Sequence, residues 1–328
     1  MDVVTVHGAS LERNLAGDSP DRRVSVYLPP SYPTAKSRRY PVVYLLHGFT
    51  DTDDRWFGRV QHFVNVPAAA DSAIGAGPHE LIIVMPNAYT KFAGSMYSSS
   101  VTTGDWESFI ARDLVSYIDS HYRTIANVAS RGLAGHSMGG YGVLRIGMKH
   151  PDVFSVLYAL SPCCMIPNVN PQAAPRLRPG ENPITADRIR TFTELEGASF
   201  GVKAQFASAA AWSPNPRNPP FYLDLPLQNG EVNPLVIAEW SANAPLALVD
   251  QYIGHLKKMK AIAVDAGNAD EPIATTVRTL HGMLDVNGVA HTFEIYEGNH
   301  VDHIGERLTN FTLPLFVKNL AFPDGPSR

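Results

Sequence analysis

Ser137 stands in the stretch RGLAGHSMGGYGVLRIGMK, residues 131–149, between Gly135 and Gly139. The Gly-x-Ser-x-Gly spacing is short enough to arise by accident, so the flanking residues carry the argument. An apolar run, GLAGH, precedes the serine and a helix-like run, MGGYGVLRIGM, follows it. That order predicts a sharp strand-to-helix turn with the hydroxyl at its apex. Such a turn holds the serine in an unfavourable backbone conformation while neighbouring chain passes close by. Gly135 and Gly139 bring no Cβ to that approach. The Met138 N–H then opens a helix, where it can donate to an oxyanion with the helix dipole behind it.

A serine hydroxyl is a poor nucleophile until a base takes its proton. In an α/β-hydrolase layout the acid and the histidine follow the serine along the chain, on loops beyond the last strands. The first such loop is KAIAVDAGNADEPIATT. Asp265 ends the strand there and Asp270 lies beyond the glycine. The acid must reach out of the sheet toward the next loop, which favours Asp270, with Asp265 as the alternative and an N-cap role as the bland reading of Asp270. The second loop is HTFEIYEGNHVDHIGERL, where His300 follows the strand directly and His303 comes about one helical turn later. His300 is the favoured base. His281 and His291 are assigned surface or core roles, on a helix and at a strand start. The H-x-D-H group of His300, Asp302 and His303 lacks a third well-placed donor and no cysteine cluster supports it, so no metal site is expected. A second oxyanion donor is expected from the Phe49 N–H after the turn at Gly48, with His47 orienting that loop.

Elements that could hold these groups are legible around them. Short runs apolar throughout, PVVYLLHG, ELIIVMPN, RGLAGHS, SVLYALSP, KAIAVDAG and HTFEIYEG, suit strands buried on both faces of a parallel sheet. The first thirty residues read as a β-rich edge. Between the runs lie helical patterns. Trp106, Phe109, Ile110, Leu114, Tyr117 and Ile118 form one stripe behind Asp105 as N-cap. The expectation is therefore an α/β-hydrolase fold over residues 1–328 as a single domain, with helices flanking a mostly parallel central sheet. A proline-rich insertion spans residues 165–250 after the sixth strand and shapes a cap or pocket.

With the elbow, LLHGFTD, AGNAD and YEGNH in this order, the chain resembles the putative-esterase (esterase D) family. That family includes feruloyl and acetylxylan esterases, S-formylglutathione hydrolases and mycolyltransferases. The similarity runs from about Val24 to the C-terminus. It implies Ser137 as nucleophile, Asp270 as acid, His300 as base, Phe49 and Met138 as oxyanion amides, and no cofactor. S-formylglutathione hydrolases continue the elbow as GHSMGGHG, whereas Tyr141 stands here in place of the second histidine. An aromatic wall of Phe49, Trp56, Phe57, Met96, Tyr97 and Trp212 would suit a hydroxycinnamoyl or other bulky ester.

The expected activity is a serine carboxylic-ester hydrolase working through an acyl-enzyme on short-chain acyl or feruloyl-type esters. The alternatives are an acyltransferase, an S-formylglutathione-type thioesterase, or a non-catalytic binding protein on the same scaffold. A net charge of -4 over 328 residues offers no electrostatic case for nucleic acid or an anionic membrane. No apolar run reaches the roughly 20 residues of a membrane-spanning helix. The expected partner is a small-molecule or carbohydrate-linked ester, and a homo-oligomer is compatible with the sequence. MDVVTVHGAS lacks the features of a signal peptide. This points to the cytoplasm, or to secretion if a leader has been removed. Cys163 and Cys164 are adjacent, poor geometry for a disulfide, and are expected as buried small hydrophobes.

Overall fold

A computed structural model describes residues 1–75, 77, 79–167, 185–228 and 231–322. The proline-rich stretch NPQAAPRLRPGENP lies outside the described residues. Eight strands form the main sheet: β1 (Asp2–His7), β2 (Asp21–Tyr27), β3 (Val42–Leu46), β4 (Ile82–Pro86), β5 (Arg131–His136), β6 (Val156–Leu160), β7 (Ala261–Gly267) and β8 (Thr292–Tyr296). Their spatial order is β1-β2-β4-β3-β5-β6-β7-β8. The β1–β2 and β2–β4 pairs are antiparallel, and every pair from β4 through β8 is parallel. The mostly parallel α/β sheet expected from the apolar runs is thus present, with its antiparallel edge at the N-terminus.

Strand periodicity explains why these runs are apolar throughout. Along β3, Val42, Tyr44 and Leu46 enter one core while Val43 and Leu45 enter the other. Successive side chains point to opposite faces, so a strand covered on both sides needs apolar residues at every position. One face is covered by α1 (Val66–Ile74) and by the C-terminal helical segment through Phe316 and Leu320. The other carries helix α2 (Val115–His121), helix α3 (Met138–Lys149) and the helices between β6 and β8. β8 departs from the expectation. Among the described residues it has only β7 beside it in the sheet, so its residues are mostly half-buried, and Glu294 reaches Arg307 at 2.8 Å instead of entering a core.

The stripe behind Asp105 is helical as read, and the Asp105 carboxylate accepts the Ser108 N–H at 3.0 Å. A π-helical turn over Phe109–Leu114 interrupts the regular winding before α2. Trp106, Phe109, Ile110, Leu114 and Ile118 are buried, and Tyr117 is half-buried.

Among the described residues, the main sheet resumes after β6 at β7. The described part of the intervening segment holds α4 (Phe200–Trp212), α5 (Pro234–Asn243) and α6 (Pro245–Leu256). Their apolar side chains, among them Phe206, Trp212, Trp240 and Leu248, join the core that also contains α3. Polar contacts tie them to the scaffold. Trp212 Nε1 donates to Ser98 Oγ at 3.1 Å, and Tyr141 Oη on α3 donates to the Asn243 carbonyl at 2.9 Å. The tyrosine that departs from the S-formylglutathione hydrolase pattern therefore links the elbow helix to α5. Helix α7 (Ile273–Val286) follows β7.

Candidate active site

The strand order reverses around β3. Its C-terminal end leads toward β4 on one side, and neighbouring β5 leads toward β6 on the other. Crevices at such reversals, outside the carboxyl ends of parallel strands, are where open α/β sheets take ligands. Ser137 sits there, immediately after β5, with φ 57° and ψ −115°. For a non-glycine residue this region costs about 1–3 kcal/mol, and the surroundings must enforce it. They do so by close packing. A Cβ on Gly139 would lie 2.0 Å from the Leu46 carbonyl oxygen, and one on Gly135 would lie 2.5 Å from the Gly139 carbonyl oxygen. The Ser137 N–H donates to the Leu160 carbonyl at 3.0 Å, and its own carbonyl accepts from Tyr141 N–H at 2.9 Å and Cys163 N–H at 3.1 Å.

Three side chains from three separate loops meet at this turn. His300 Nε2 lies 2.9 Å from Ser137 Oγ, and His300 Nδ1 lies 2.7 Å from Asp270 Oδ2. Because a carboxylate only accepts, Nδ1 carries the hydrogen and Nε2 presents its lone pair to the serine hydroxyl. A hydroxyl, an imidazole and a carboxylate linked in this order can pass a proton from the first to the second while the third holds the ring. Ser137 and Asp270 are largely buried, whereas His300 is about one-third exposed (35% of its side chain).

Asp265 and His303 belong to other networks. Asp265 accepts from Tyr158 Oη at 2.7 Å and pairs with Arg307 at 2.7 Å, inside the fold. Burial pushes its carboxyl above the usual range, against the pull of Arg307. His303 is exposed and contacts Glu306 at 3.1 Å. Asp270 does not cap α7 with its side chain: the N-cap position falls on Pro272.

His47 is buried, as its proposed loop role requires. Its Nδ1–H donates to the Gly48 carbonyl at 2.9 Å and its Nε2 accepts the Ala88 N–H at 2.9 Å. The loop it holds touches the serine. A Cβ on Gly48 would be 3.5 Å from Ser137 Cβ. Met138 is the first residue of α3, where the amide has no partner within the helix. Among the described residues, no hydrogen bond is formed by the Phe49 or Met138 N–H, so both remain able to donate to a bound group.

His136 is a contributor that the motif's spacing does not single out. It is buried beneath His300, with ring centroids 4.6 Å apart, and its Nε2–H donates to the His300 carbonyl at 2.8 Å. Burial first, and the neighbouring His300 second, push its pKa down to about 3. It therefore stays neutral and acts as a fixed donor under the His300 loop. The available signal was its place in the elbow, one residue before the serine.

A cavity of about 320 Å³ opens at Ser137, Asp270 and His300, lined also by Phe49, Met96, Cys163, Cys164, Phe200 and Ile273. A second, of about 530 Å³, shares Cys163, Cys164, Phe200 and Ile273 with the first and extends to Trp212 and Trp240. Of the expected aromatic wall, Phe49 and Met96 line the first cavity and Trp212 the second. Trp56, Phe57 and Tyr97 do not contribute to either. Trp56 and Phe57 are buried in the core on the other face of the sheet, where Trp56 Nε1 donates to Asp51 at 3.0 Å. Tyr97 is fully buried, with its hydroxyl on the His47 carbonyl at 3.2 Å. Aromatic type alone does not distinguish a core ring from a lining ring. Cys163 and Cys164 are free and half-buried, at the cavity instead of in the core, because the turn after β6 packs against Ser137.

The putative esterase family matches residues 19–304. The chain belongs to this family. An esterase of Mycobacterium tuberculosis (strain H37Rv) is 37% identical over 134 residues, 40% of this chain and 27% of that relative. An endo-1,4-beta-xylanase/feruloyl esterase of Xylanibacter ruminicola is 30% identical over 141 residues, 42% of this chain and 19% of that relative. The matched part thus spans about a quarter or less of these longer relatives. Among solved structures, a ferulic acid esterase superposes with TM-score 0.66 at 22% identity, covering 97% of each chain. An S-formylglutathione hydrolase of Staphylococcus aureus superposes with TM-score 0.62 at 15% identity, covering 96% of this chain and 98% of that one. These likenesses place this family member in the α/β-hydrolase fold. Among its described residues, no helix is long and apolar enough to cross a membrane.

Proposed function

We propose that this protein is a serine carboxylic-ester hydrolase whose nucleophile, base and acid are Ser137, His300 and Asp270. The observation that carries the reading is the continuous chain of contacts, 2.9 Å from Ser137 Oγ to His300 Nε2 and 2.7 Å from His300 Nδ1 to Asp270, at the mouth of a cavity. His300 takes the hydroxyl proton as Ser137 Oγ attacks the ester carbonyl. The Phe49 and Met138 N–H groups receive the developing oxyanion. His300 then gives the proton to the leaving alcohol, which departs and leaves an acyl-serine. Water, deprotonated by the same histidine, attacks the acyl carbon, and the serine recovers its proton as the acid leaves. Asp270 fixes the Nδ1–H tautomer and offsets the positive charge of the imidazolium.

The substrate favoured is an ester with an aromatic acyl group of the hydroxycinnamoyl kind. Phe49, Met96, Phe200 and Ile273 offer a formyl group little to contact, whereas a phenylpropenoyl group would cover them. The feruloyl activity named for the Xylanibacter relative supports the same choice. The test is a hydrolysis panel of methyl ferulate, p-nitrophenyl acetate and butyrate, acetylated xylan and S-formylglutathione, run on the wild type and on folded Ser137→Ala. Methyl ferulate should give the highest kcat/KM. Turnover in the Ala variant should fall about a millionfold. Wild-type rates in Ser137→Ala would end the mechanism, and S-formylglutathione at the head of the ranking would end the substrate assignment.

A further inference from the structure

Away from the candidate active site, His281, Asp285 and His291 gather where the C-terminal half of α7 meets the start of β8, with potential ligand atoms within 4.8 Å of one another. Both imidazoles are oriented by specific contacts. His281 and Asp285 are four residues apart on α7 and so share a helix face. The His281 ring stacks flat on Phe293, centroids 4.1 Å apart. His291 Nδ1–H donates to the Val289 carbonyl at 2.8 Å, which leaves its Nε2 with a lone pair, 2.8 Å from His281 Nδ1. That arrangement, one ring nitrogen tied to a carbonyl and the other turned toward a neighbouring donor, is how metal-binding imidazoles are held. Asp285 lies 3.4 Å from His281 Nε2 and 3.9 Å from His291 Nε2, with its carboxylate mostly in solvent and free to swing.

We propose that His281, Asp285 and His291 bind one divalent ion of the Zn²⁺ class, with water completing the coordination. Two imidazoles and a carboxylate suit Zn²⁺ more than Ca²⁺ or Mg²⁺, which take all-oxygen sites. With bonds of about 2.0–2.2 Å, tetrahedral ligand atoms stand roughly 3.4 Å apart. The imidazoles therefore need to part by about half an ångström and to turn so that both lone pairs converge on the ion, off the line that now joins the two nitrogens. The hydrogen now between them moves to His281 Nε2, the nitrogen nearer Asp285, so both coordinating nitrogens are free of protons. The ion would join α7 to β8, two elements whose opposite ends carry Asp270 and His300. Its role is to clamp these elements, and it takes no part in the ester chemistry.

Equilibrium dialysis with Zn²⁺, and Co²⁺ titration followed by visible absorption, test this on the intact chain. The wild type and Ser137→Ala should both bind one ion saturably, show the intense d–d bands of tetrahedral Co²⁺, and gain in Tm with Zn²⁺. His281→Ala and His291→Ala should each lose more affinity than the 10–100-fold typical of losing an outer partner. Asp285→Asn, at an exposed position, should fold normally and still bind more weakly. Binding and Co²⁺ spectra unchanged in these three variants, or no saturable binding by the wild type, would overturn the site. Because Ser137→Ala retains the three ligands, the outcome is independent of the esterase reading.

Discussion

Asp265 and Asp270 show how neighbouring carboxylates divide their work. Asp270 faces the imidazole that would move a proton in the proposed mechanism, whereas Asp265 pairs with Arg307 inside the fold. Asp270→Asn should leave stability nearly intact and lower kcat about 10⁴-fold through the wrong imidazole tautomer. Asp265→Ala should do something different. It leaves the buried Arg307 with only the half-buried Glu294 to offset its charge, and should cost up to about 3–5 kcal/mol in urea denaturation. A variant pair with the reverse pattern would exchange the two roles. His136 adds a pH dependence. It is neutral in the folded protein down to about pH 3, whereas an unfolded histidine gains its proton below about 6.5. Between these values the unfolded state binds one more proton, so stability falls as pH falls, by about 1.4 kcal/mol per unit from this residue. His136→Gln keeps a donor for the His300 carbonyl and removes the titration. Its unfolding free energy, measured from pH 7 to pH 4.5, should fall less steeply than that of the wild type.

The elbow is a device of elements, since β5, α3 and the end of β3 share a space that admits no extra carbon at Gly139. Gly139→Ala would drive a methyl group into the Leu46 carbonyl, and neither backbone can yield without displacing Ser137. The expected result is a loss of at least about 1–3 kcal/mol together with most of the esterase rate. Denaturation and turnover measured on the same sample check this, and unchanged values in both would refute the packing argument. Much at this scale was legible beforehand. The strand-to-helix switch at Ser137 and the Asp105 cap follow from local periodicity and capping chemistry, which operate over a few residues. The π-helical turn at Phe109–Leu114 and the half-exposed edge strand β8 were not legible. The edge position of β8 is a property of the sheet order, which no single strand records, and nothing in the local pattern of the stripe marks the π-helical turn.

At the level of the whole molecule, the cavity is assembled from the β3 loop, the elbow, the turn after β6, α4 and the start of α7. Phe200 on α4 stands edge-on to Phe49 at 5.4 Å and lines both cavities. Phe200→Ala should lower kcat/KM for methyl ferulate by about 10- to 200-fold while leaving p-nitrophenyl acetate within a few fold. Equal losses on both esters would place Phe200 outside acyl recognition. The sequence alone determined the alternation of apolar runs and helices, the elbow, and the preference for Asp270 and His300, because each rests on spacing within one loop or on chain order. Only the tertiary structure decided that Trp56 and Tyr97 are core residues, that Cys163 and Cys164 reach the cavity, and that His136 supports the His300 loop. The reason is physical. Whether a side chain faces a core or a crevice depends on segments more than a hundred residues away, such as the 164 positions between His136 and His300, and no local pattern records which of them will pack against it.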